Sequence, residues 1–258
     1  MVMKNKILLI GVFVVFLAVL YLNRSYAYIY QTIGGANLRL PNQENLYHLG
    51  VAEFSNENML EKKTLTYVAL GDSLSAGAGT DSDEQSFPYL IANKISQESD
   101  SPVDLLNLSV PGYKSSDLLG RYLDQAFAAK PDFVTILVGV NDIHNQISVE
   151  DFISNYEKIL SRLEKNGNSQ INIINIPFIG AKTLILPPYD LYFQKKTEKF
   201  NKALADLAAK HDVKIIDLYS FSYRQLREPG DHYSRDLFHP SAAGYSVWAD
   251  FIYENLNK

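Results

Sequence analysis

The 258-residue sequence contains no cysteine. This absence excludes disulfide bonds, thiolate nucleophiles, cysteine-based zinc or iron–sulfur sites and a lipid-modified cysteine behind the N-terminal apolar run. The sequence also has no dense run of lysine and arginine after its N-terminus, and its formal net charge is −5. That charge distribution argues against nucleic acid as a partner. With 47% hydrophobic and 21% charged residues, the chain is expected to form a packed core.

A long hydrophobic run stands near the N-terminus. It extends over residues 7–22 without a charge and follows Lys4 and Lys6. The run is long for the apolar region of a signal peptide and slightly short for a full membrane span. Residues 25–27, Ser-Tyr-Ala, resemble a cleavage site, but Arg24 before them weakens that interpretation. We favour a retained membrane anchor over a cleaved signal, and in both cases the rest of the chain is exported.

The pattern of the chain predicts three parts. Residues 1–27 are the signal peptide or membrane anchor, and residues 28–63 lack sustained periodicity and are interpreted as a tether with one short helix. Residues 64–258 alternate short apolar strands with amphipathic helices, which predicts an α/β domain with a parallel sheet covered by helices on both faces. The five predicted strands lie in TLTYVAL, VDLLNLS, DFVTILVG, INIINIP and VKIIDL.

Polar or small residues follow these strands, where α/β sheets bind their ligands. Ser73 comes after the first strand, Gly112 after the second and Asn141 after the third, while Asp236 and His239 come before the last helix. A serine hydroxyl needs a base, and an imidazole held by a carboxylate supplies one. Asp236 stands three residues before His239, so its side chain can reach the ring.

The same residues supply donors for the oxyanion that forms when a serine attacks an ester. Two or three fixed N–H groups are needed for that charge. The candidates are the backbone N–H groups of Ser73 and Gly112 and the side-chain amide of Asn141. The set as a whole predicts acyl transfer.

Four blocks of this sequence resemble the SGNH, or GDSL, hydrolase family: Gly71-Asp72-Ser73-Leu74, the Gly112 segment, Gly139-x-Asn141-Asp142 and Asp236-x-x-His239-Pro240. The blocks occur in the family's order, and the resemblance runs from about Thr64 to the C-terminus. It implies a flavodoxin-like three-layer α/β/α sandwich and serine esterase or lipase chemistry without a metal or cofactor. It also implies a catalytic Ser73, Asp236 and His239, with Ser73, Gly112 and Asn141 in the oxyanion hole. The lysophospholipase-like bacterial members, anchored or secreted, are the most similar.

Several features have a second interpretation. Ser73 or Asp72 is also a suitable N-cap for the next helix. Asp142 is interpreted as structural, and His144 lies either in the cleft or on a surface loop. Residues 177–194 are unusually apolar and form either a flap beside the serine or an ordinary loop and helix start.

We therefore expect a serine hydrolase that cleaves small-molecule or lipid carboxylic esters through an acyl-enzyme at the outer face of the membrane. The alternative keeps the same residues but acts as an acyl or acetyl esterase, or an acyltransferase, on cell-envelope carbohydrate. A third hypothesis is an anchored binding module without activity, which the complete Ser, Asn, Asp and His set disfavours.

Overall fold

A mixed six-stranded sheet forms the centre of the protein. The computed structural model describes residues 2–39, 41, 45–50, 63–167, 169–178, 180–225, 227 and 231–256. The strands are β1 (Asn45–Leu49), β2 (Leu65–Gly71), β3 (Val103–Asn107), β4 (Phe133–Leu137), β5 (Gln170–Ile174) and β6 (Lys214–Ile216). Their order across the sheet is β1-β3-β2-β4-β5-β6.

The five predicted strands are all present as β2 to β6, and they pair in parallel. Counted among themselves in chain order, they run 2-1-3-4-5 across the sheet, which is the flavodoxin-like order. The predicted α/β sandwich is thus confirmed. From β2 the chain passes first to β3 on one side and then to β4 on the other side. The carboxyl ends of β2 and β4 therefore lie next to each other at the switch point, where such folds bind ligands.

The sixth strand, β1, was not predicted and lies within the range interpreted as a tether. It pairs antiparallel with β3, with Asn45 opposite Asn107 and Leu49 opposite Val103. Leu49 is buried, and β1 covers the edge of β3 that would otherwise expose unpaired backbone groups. Part of residues 28–63 therefore belongs to the sheet, while the boundary between tether and domain stays a prediction.

Helices cover both faces of the sheet. They are α1 (Val2–Gly35), α2 (Ser73–Ala76), α3 (Phe87–Ser99), α4 (Arg121–Ala128), α5 (Val140–His144), α6 (Val149–Leu163), α7 (Tyr189–Lys210), α8 (Leu218–Gln225) and α9 (Ala242–Asn255). Helix α9 packs against α3 and α8, whereas α6 packs against α4 and α7. A 3₁₀ turn over Ser115–Leu118 precedes α4, and Gly120, with a φ of 88°, separates the two.

The core lies between the sheet and these helices. Val68, Ile136 and Ile173 at the strand centres have no exposed surface, as expected for strands buried on both faces. Phe152 of α6 and Phe200 of α7 meet with ring centroids 4.9 Å apart. Each such side chain contributes about 1.5–3 kcal/mol by leaving water. The core therefore holds the strand ends, and the residues that follow them, in fixed positions.

Helix α1 differs from the others because only its second half contacts the sheet domain. Its 34 residues correspond to a length of about 51 Å. Residues 6–35 are long and apolar enough to cross a membrane by length and composition. Apolar side chains from Ile7 to Tyr21 are exposed, whereas Ser25 and Ile29 are buried. The exposed half fits an anchor, and the second half forms part of the folded domain.

Candidate active site

Ser73 begins the short helix α2 directly after β2. The N-cap of this helix is Asp72, whose Oδ1 accepts a hydrogen bond from the N–H of Leu74 at 3.0 Å. Because Asp72 forms the cap, the hydroxyl of Ser73 is not needed for it. Ser73 is partly exposed, so its Oγ is accessible from solvent. As the first residue of the helix, Ser73 also has a backbone N–H without a partner inside that helix.

Ser73, His239 and Asp236 form one hydrogen-bonded chain. The Nε2 atom of His239 lies 2.9 Å from Ser73 Oγ, and its Nδ1 atom lies 2.6 Å from Asp236 Oδ2. Ser73 and His239 are 166 residues apart in sequence, and the fold brings them together at the carboxyl end of the sheet. The sequence predicted this grouping, and the distances are those needed for proton transfer from the hydroxyl to the imidazole.

Asp236 is held in place by its other oxygen. Oδ1 accepts hydrogen bonds from the N–H groups of Phe238 and His239, both at 2.9 Å, and from the Ser234 hydroxyl at 2.6 Å. Burial by itself raises the pKa of Asp236, but the bonds from His239 and Ser234 outweigh it and lower the pKa below its ordinary value. The carboxylate is therefore ionised at neutral pH and accepts the Nδ1–H of His239. Sequence inspection missed Ser234, which stands two residues before Asp236.

The loop that carries His239 approaches the loop after α2 very closely. Gly79 has a φ of 100°, and a Cβ there would lie 2.5 Å from the carbonyl oxygen of Pro240 and 3.1 Å from the Cβ of His239. The hydroxyl of Tyr245 donates to the carbonyl of Ala78 at 2.9 Å. The absence of a side chain at residue 79 thus allows the two halves of the site to meet.

Asn141 and Gly112 lie on the other side of Ser73. Asn141 is in the first turn of α5, and its Nδ2 donates to the carbonyl of Tyr113 at 2.9 Å. This bond uses one of the two amide hydrogens and fixes the orientation of the second. Gly112 has a φ of 85°, and the position its Cβ would occupy is open. Both residues line the same cavity as Ser73.

Asp142, next to Asn141, has a structural position. It has no exposed surface and accepts hydrogen bonds from the N–H and the hydroxyl of Ser115, at 2.9 Å and 2.6 Å. Burial raises its pKa, and the bonds from Ser115 partly offset this. Asp142 thereby joins the loop after β3 to the start of α5. Among the residues described by the structure, no group of three histidine, aspartate or glutamate side chains is arranged to bind a metal.

A cavity of about 610 Å³ opens above Ser73 and His239. This volume is within the usual range for small-molecule sites. Its walls are mainly apolar, and they come from α1 and the segment after it as well as from the sheet domain. The apolar lining residues include Ile29, Ile33, Leu38, Val140, Ile185, Phe193 and Phe238. The contribution of α1 was missed in the sequence, where residues 1–27 were interpreted as a signal peptide or membrane anchor and residues 28–63 as a tether.

His144 and residues 177–194, which had two interpretations each, both contribute to the wall of the cavity. His144 lines the cavity, and its Nε2 atom lies 2.5 Å from the hydroxyl of Tyr30 of α1. Burial lowers the pKa of His144. In the apolar stretch of residues 177–194, Leu184 and Ile185 are buried against Ile29. Ile185 and Phe193 of this stretch line the cavity that contains Ser73, and helix α7 begins at Tyr189.

Residues 69–247 match the model of the GDSL-like lipase/acylhydrolase family. The chain belongs to this family. It is also 26% identical over 212 residues to the spore germination lipase LipC of Bacillus licheniformis, covering 72% of this chain and 94% of that protein. As a family member, the protein is a carboxylic ester hydrolase of the esterase and lipase type.

Solved structures show the same fold. The lipase/acylhydrolase from Enterococcus faecalis has a TM-score of 0.61 and 24% identity, covering 74% of this chain and 94% of that one. An acetyl xylan esterase has a TM-score of 0.60 and 21% identity, covering 74% of this chain and 98% of that one. At these identities the similarity shows the fold and leaves the substrate to be inferred from the site.

Proposed function

We propose that the protein hydrolyses carboxylic esters with Ser73 as nucleophile, His239 as general base and Asp236 as the residue that orients His239. The observation that carries this proposal is the chain of hydrogen bonds from Asp236 Oδ2 to His239 Nδ1 at 2.6 Å and from His239 Nε2 to Ser73 Oγ at 2.9 Å. This chain ends at an accessible hydroxyl in an apolar cavity. It holds the imidazole with Nε2 available to accept a proton.

The reaction proceeds in two halves. Ser73 Oγ attacks the ester carbonyl carbon while its proton moves to His239 Nε2. The tetrahedral intermediate collapses, the bond to the alcohol oxygen breaks, and the alcohol leaves with the proton from His239. Water then attacks the carbonyl carbon of the acyl-enzyme and gives a proton to the same nitrogen. The bond from that carbon to Ser73 Oγ breaks, Oγ takes the proton back from His239 Nε2, and the acid is released. No redox change or cofactor is required.

Three N–H groups are proposed to bind the oxyanion of the intermediate. They are the backbone N–H of Ser73 at the start of α2, the backbone N–H of Gly112 and the second amide hydrogen of Asn141. The bond from Asn141 to Tyr113 fixes the amide before the substrate arrives, so little reorganisation is needed during the reaction.

We place the reaction at the outer face of a membrane. The apolar side chains of α1 from Ile7 to Tyr21 are exposed, and the basic residues Lys4 and Lys6 precede them. Basic residues favour the cytoplasmic side, so the domain that follows α1 is exported. The apolar lining of the cavity favours an ester with an acyl chain, as in lipases and lysophospholipases. An acetyl esterase or acyltransferase acting on envelope carbohydrate is the second candidate; an acetyl xylan esterase has the same fold.

The test uses full-length protein in detergent and p-nitrophenyl butyrate. We expect Ser73→Ala to abolish turnover and labelling by a fluorophosphonate probe while the circular dichroism spectrum is unchanged. Ser161→Ala is the matched control because Ser161 is exposed on α6. Turnover by Ser73→Ala at the level of the Ser161→Ala control would refute the assignment of the nucleophile.

A further inference from the structure

Four side chains on one face of α1 line the cavity. Tyr26, Ile29, Tyr30 and Ile33 follow the spacing i, i+3, i+4, i+7, which places them on one side of a helix. This is the part of the helix where burial begins, since Ile29 is only 7% exposed. The face is therefore a wall of the same cavity that contains Ser73.

The second half of α1 is attached to the domain at several points. The hydroxyl of Tyr21 donates to the carbonyl of Pro187 at 2.8 Å, and the hydroxyl of Tyr30 bonds His144 Nε2 at 2.5 Å. After the helix, Arg39 forms an ion pair with Asp83 at 2.7 Å. These contacts come from both ends of the half-helix, so its position over the cavity is fixed by the fold.

The cavity lies close to the place where the exposed apolar half of α1 ends. Tyr21 and Tyr26 are five residues apart, which is about 8 Å along a helix axis. Outside α1, the large apolar side chains that are exposed in the described part of the chain are Leu46, Leu191 and Tyr192. Leu191 and Tyr192 lie in the first turn of α7, where Tyr189 contacts Tyr26 with ring centroids 5.7 Å apart.

We propose that α1 is retained in the mature enzyme and that its Tyr26–Ile33 face forms one wall of a binding site for the acyl chain of a membrane-resident ester. The inference rests on the proposed function, because it assigns a substrate class to the same serine. The exposed half of α1 brings the domain to the bilayer, and Leu191 and Tyr192 contact the bilayer surface. The acyl chain of the substrate passes along α1 to Ser73. Ile33 is half-buried at the cavity, so a larger side chain at this position would narrow the path of a long acyl chain.

Cleavage after Ala27 would be incompatible with this site. It would divide α1 between Tyr26 and Ile29, and it would remove the attachment through Tyr21. Mass spectrometry of the protein recovered from the membrane fraction of cells that express the full chain tests this step. We expect the intact N-terminal segment, and a mature protein that begins at Tyr28 would overturn the inference.

Selection by the length of the acyl chain is tested with full-length protein variants in phosphatidylcholine nanodiscs. We expect Ile33→Trp to lower the ratio of kcat/KM for p-nitrophenyl palmitate to kcat/KM for p-nitrophenyl acetate by at least tenfold. Gln31→Trp is the control, since Gln31 is exposed on the same helix and is not among the cavity-lining residues. An equal chain-length profile for the two variants would overturn the inference.

The result separates failure of this inference from failure of the proposed function. If the parent protein hydrolyses short esters and requires Ser73, the proposed function is supported regardless of the result for Ile33→Trp. If the parent prefers acetyl esters, or hydrolyses palmitate equally well from detergent micelles and from nanodiscs, the proposed membrane-resident substrate is wrong. We expect faster hydrolysis of palmitate from nanodiscs, because α1 holds the cavity at the bilayer.

Discussion

Replacement of Asp236 by asparagine removes the negative charge next to His239 and leaves the shape of the side chain unchanged. Oδ1 of Asp236 accepts three hydrogen bonds, from Ser234 Oγ and from the N–H groups of Phe238 and His239. In Asp236→Asn the amide oxygen must take this position, because an NH₂ group there would face three donors. The NH₂ group then occupies the position of Oδ2 and points at His239 Nδ1.

This orientation reverses the tautomer of His239. Nδ1 must accept the amide hydrogen, so the ring proton moves to Nε2, which then donates to Ser73 Oγ where the reaction needs an acceptor. We expect kcat/KM for p-nitrophenyl butyrate to fall by about 10⁴-fold, which corresponds to about 5.4 kcal/mol of transition-state stabilisation. KM should change little, because Asp236 lies behind the imidazole.

The control is Asp206→Asn, which removes an exposed carboxylate on α7 that pairs with Lys202 at 2.8 Å. We expect this variant to keep parental activity, because exposed ion pairs contribute about 0–1 kcal/mol. Circular dichroism and thermal melts should show that both variants fold. The reasoning is refuted if folded Asp236→Asn keeps more than a tenth of the parental kcat/KM.

Two further predictions concern polar groups near Ser73. Asn141→Ala should lower kcat by about 10²–10³-fold with a KM close to that of the parent, as measured with p-nitrophenyl butyrate, because one oxyanion donor is lost; an effect confined to KM would contradict this role. Burial raises the pKa of Asp72 from 3.8 to about 7, so the folded protein binds the carboxyl proton more tightly than the unfolded chain. Ionised Asp72 therefore lowers the free energy of unfolding. This loss is absent below about pH 4, grows up to about pH 7 and is complete above it. At pH 8, urea unfolding should give Asp72→Asn a higher free energy of unfolding than the parent, by at most about 4 kcal/mol. At pH 4 the two proteins should be equally stable. An equal gain at both pH values would contradict this reasoning.

The elements that could be predicted from the sequence are those with a strong local pattern. The five parallel strands are short apolar runs between amphipathic helices, and the residues after them, such as Ser73 and Asn141, had to meet at one edge of the sheet. The cap of α2 was ambiguous, because either Asp72 or Ser73 can accept the backbone N–H. The structure resolves this, because Asp72 Oδ1 accepts the N–H of Leu74 at 3.0 Å.

The elements that could not be predicted depend on contacts far apart in sequence. Strand β1 has no periodicity of its own that distinguishes it from a loop, and it forms because β3 has a free edge. The role of α1 was hidden for a different reason. The apolar residues of its second half suit a membrane as well as a protein surface, and long-range contacts such as those with His144 and Pro187 separate the two.

The separation of 166 residues between Ser73 and His239 has a consequence for biosynthesis. In the proposed export, α1 enters the bilayer first, and β2 emerges long before the segment that carries Asp236 and His239. Until that segment arrives, Ser73 lacks its proposed base. In that case the proposed active site is assembled only after nearly the whole domain has crossed the membrane, and lipids on the cytoplasmic side do not meet the finished enzyme.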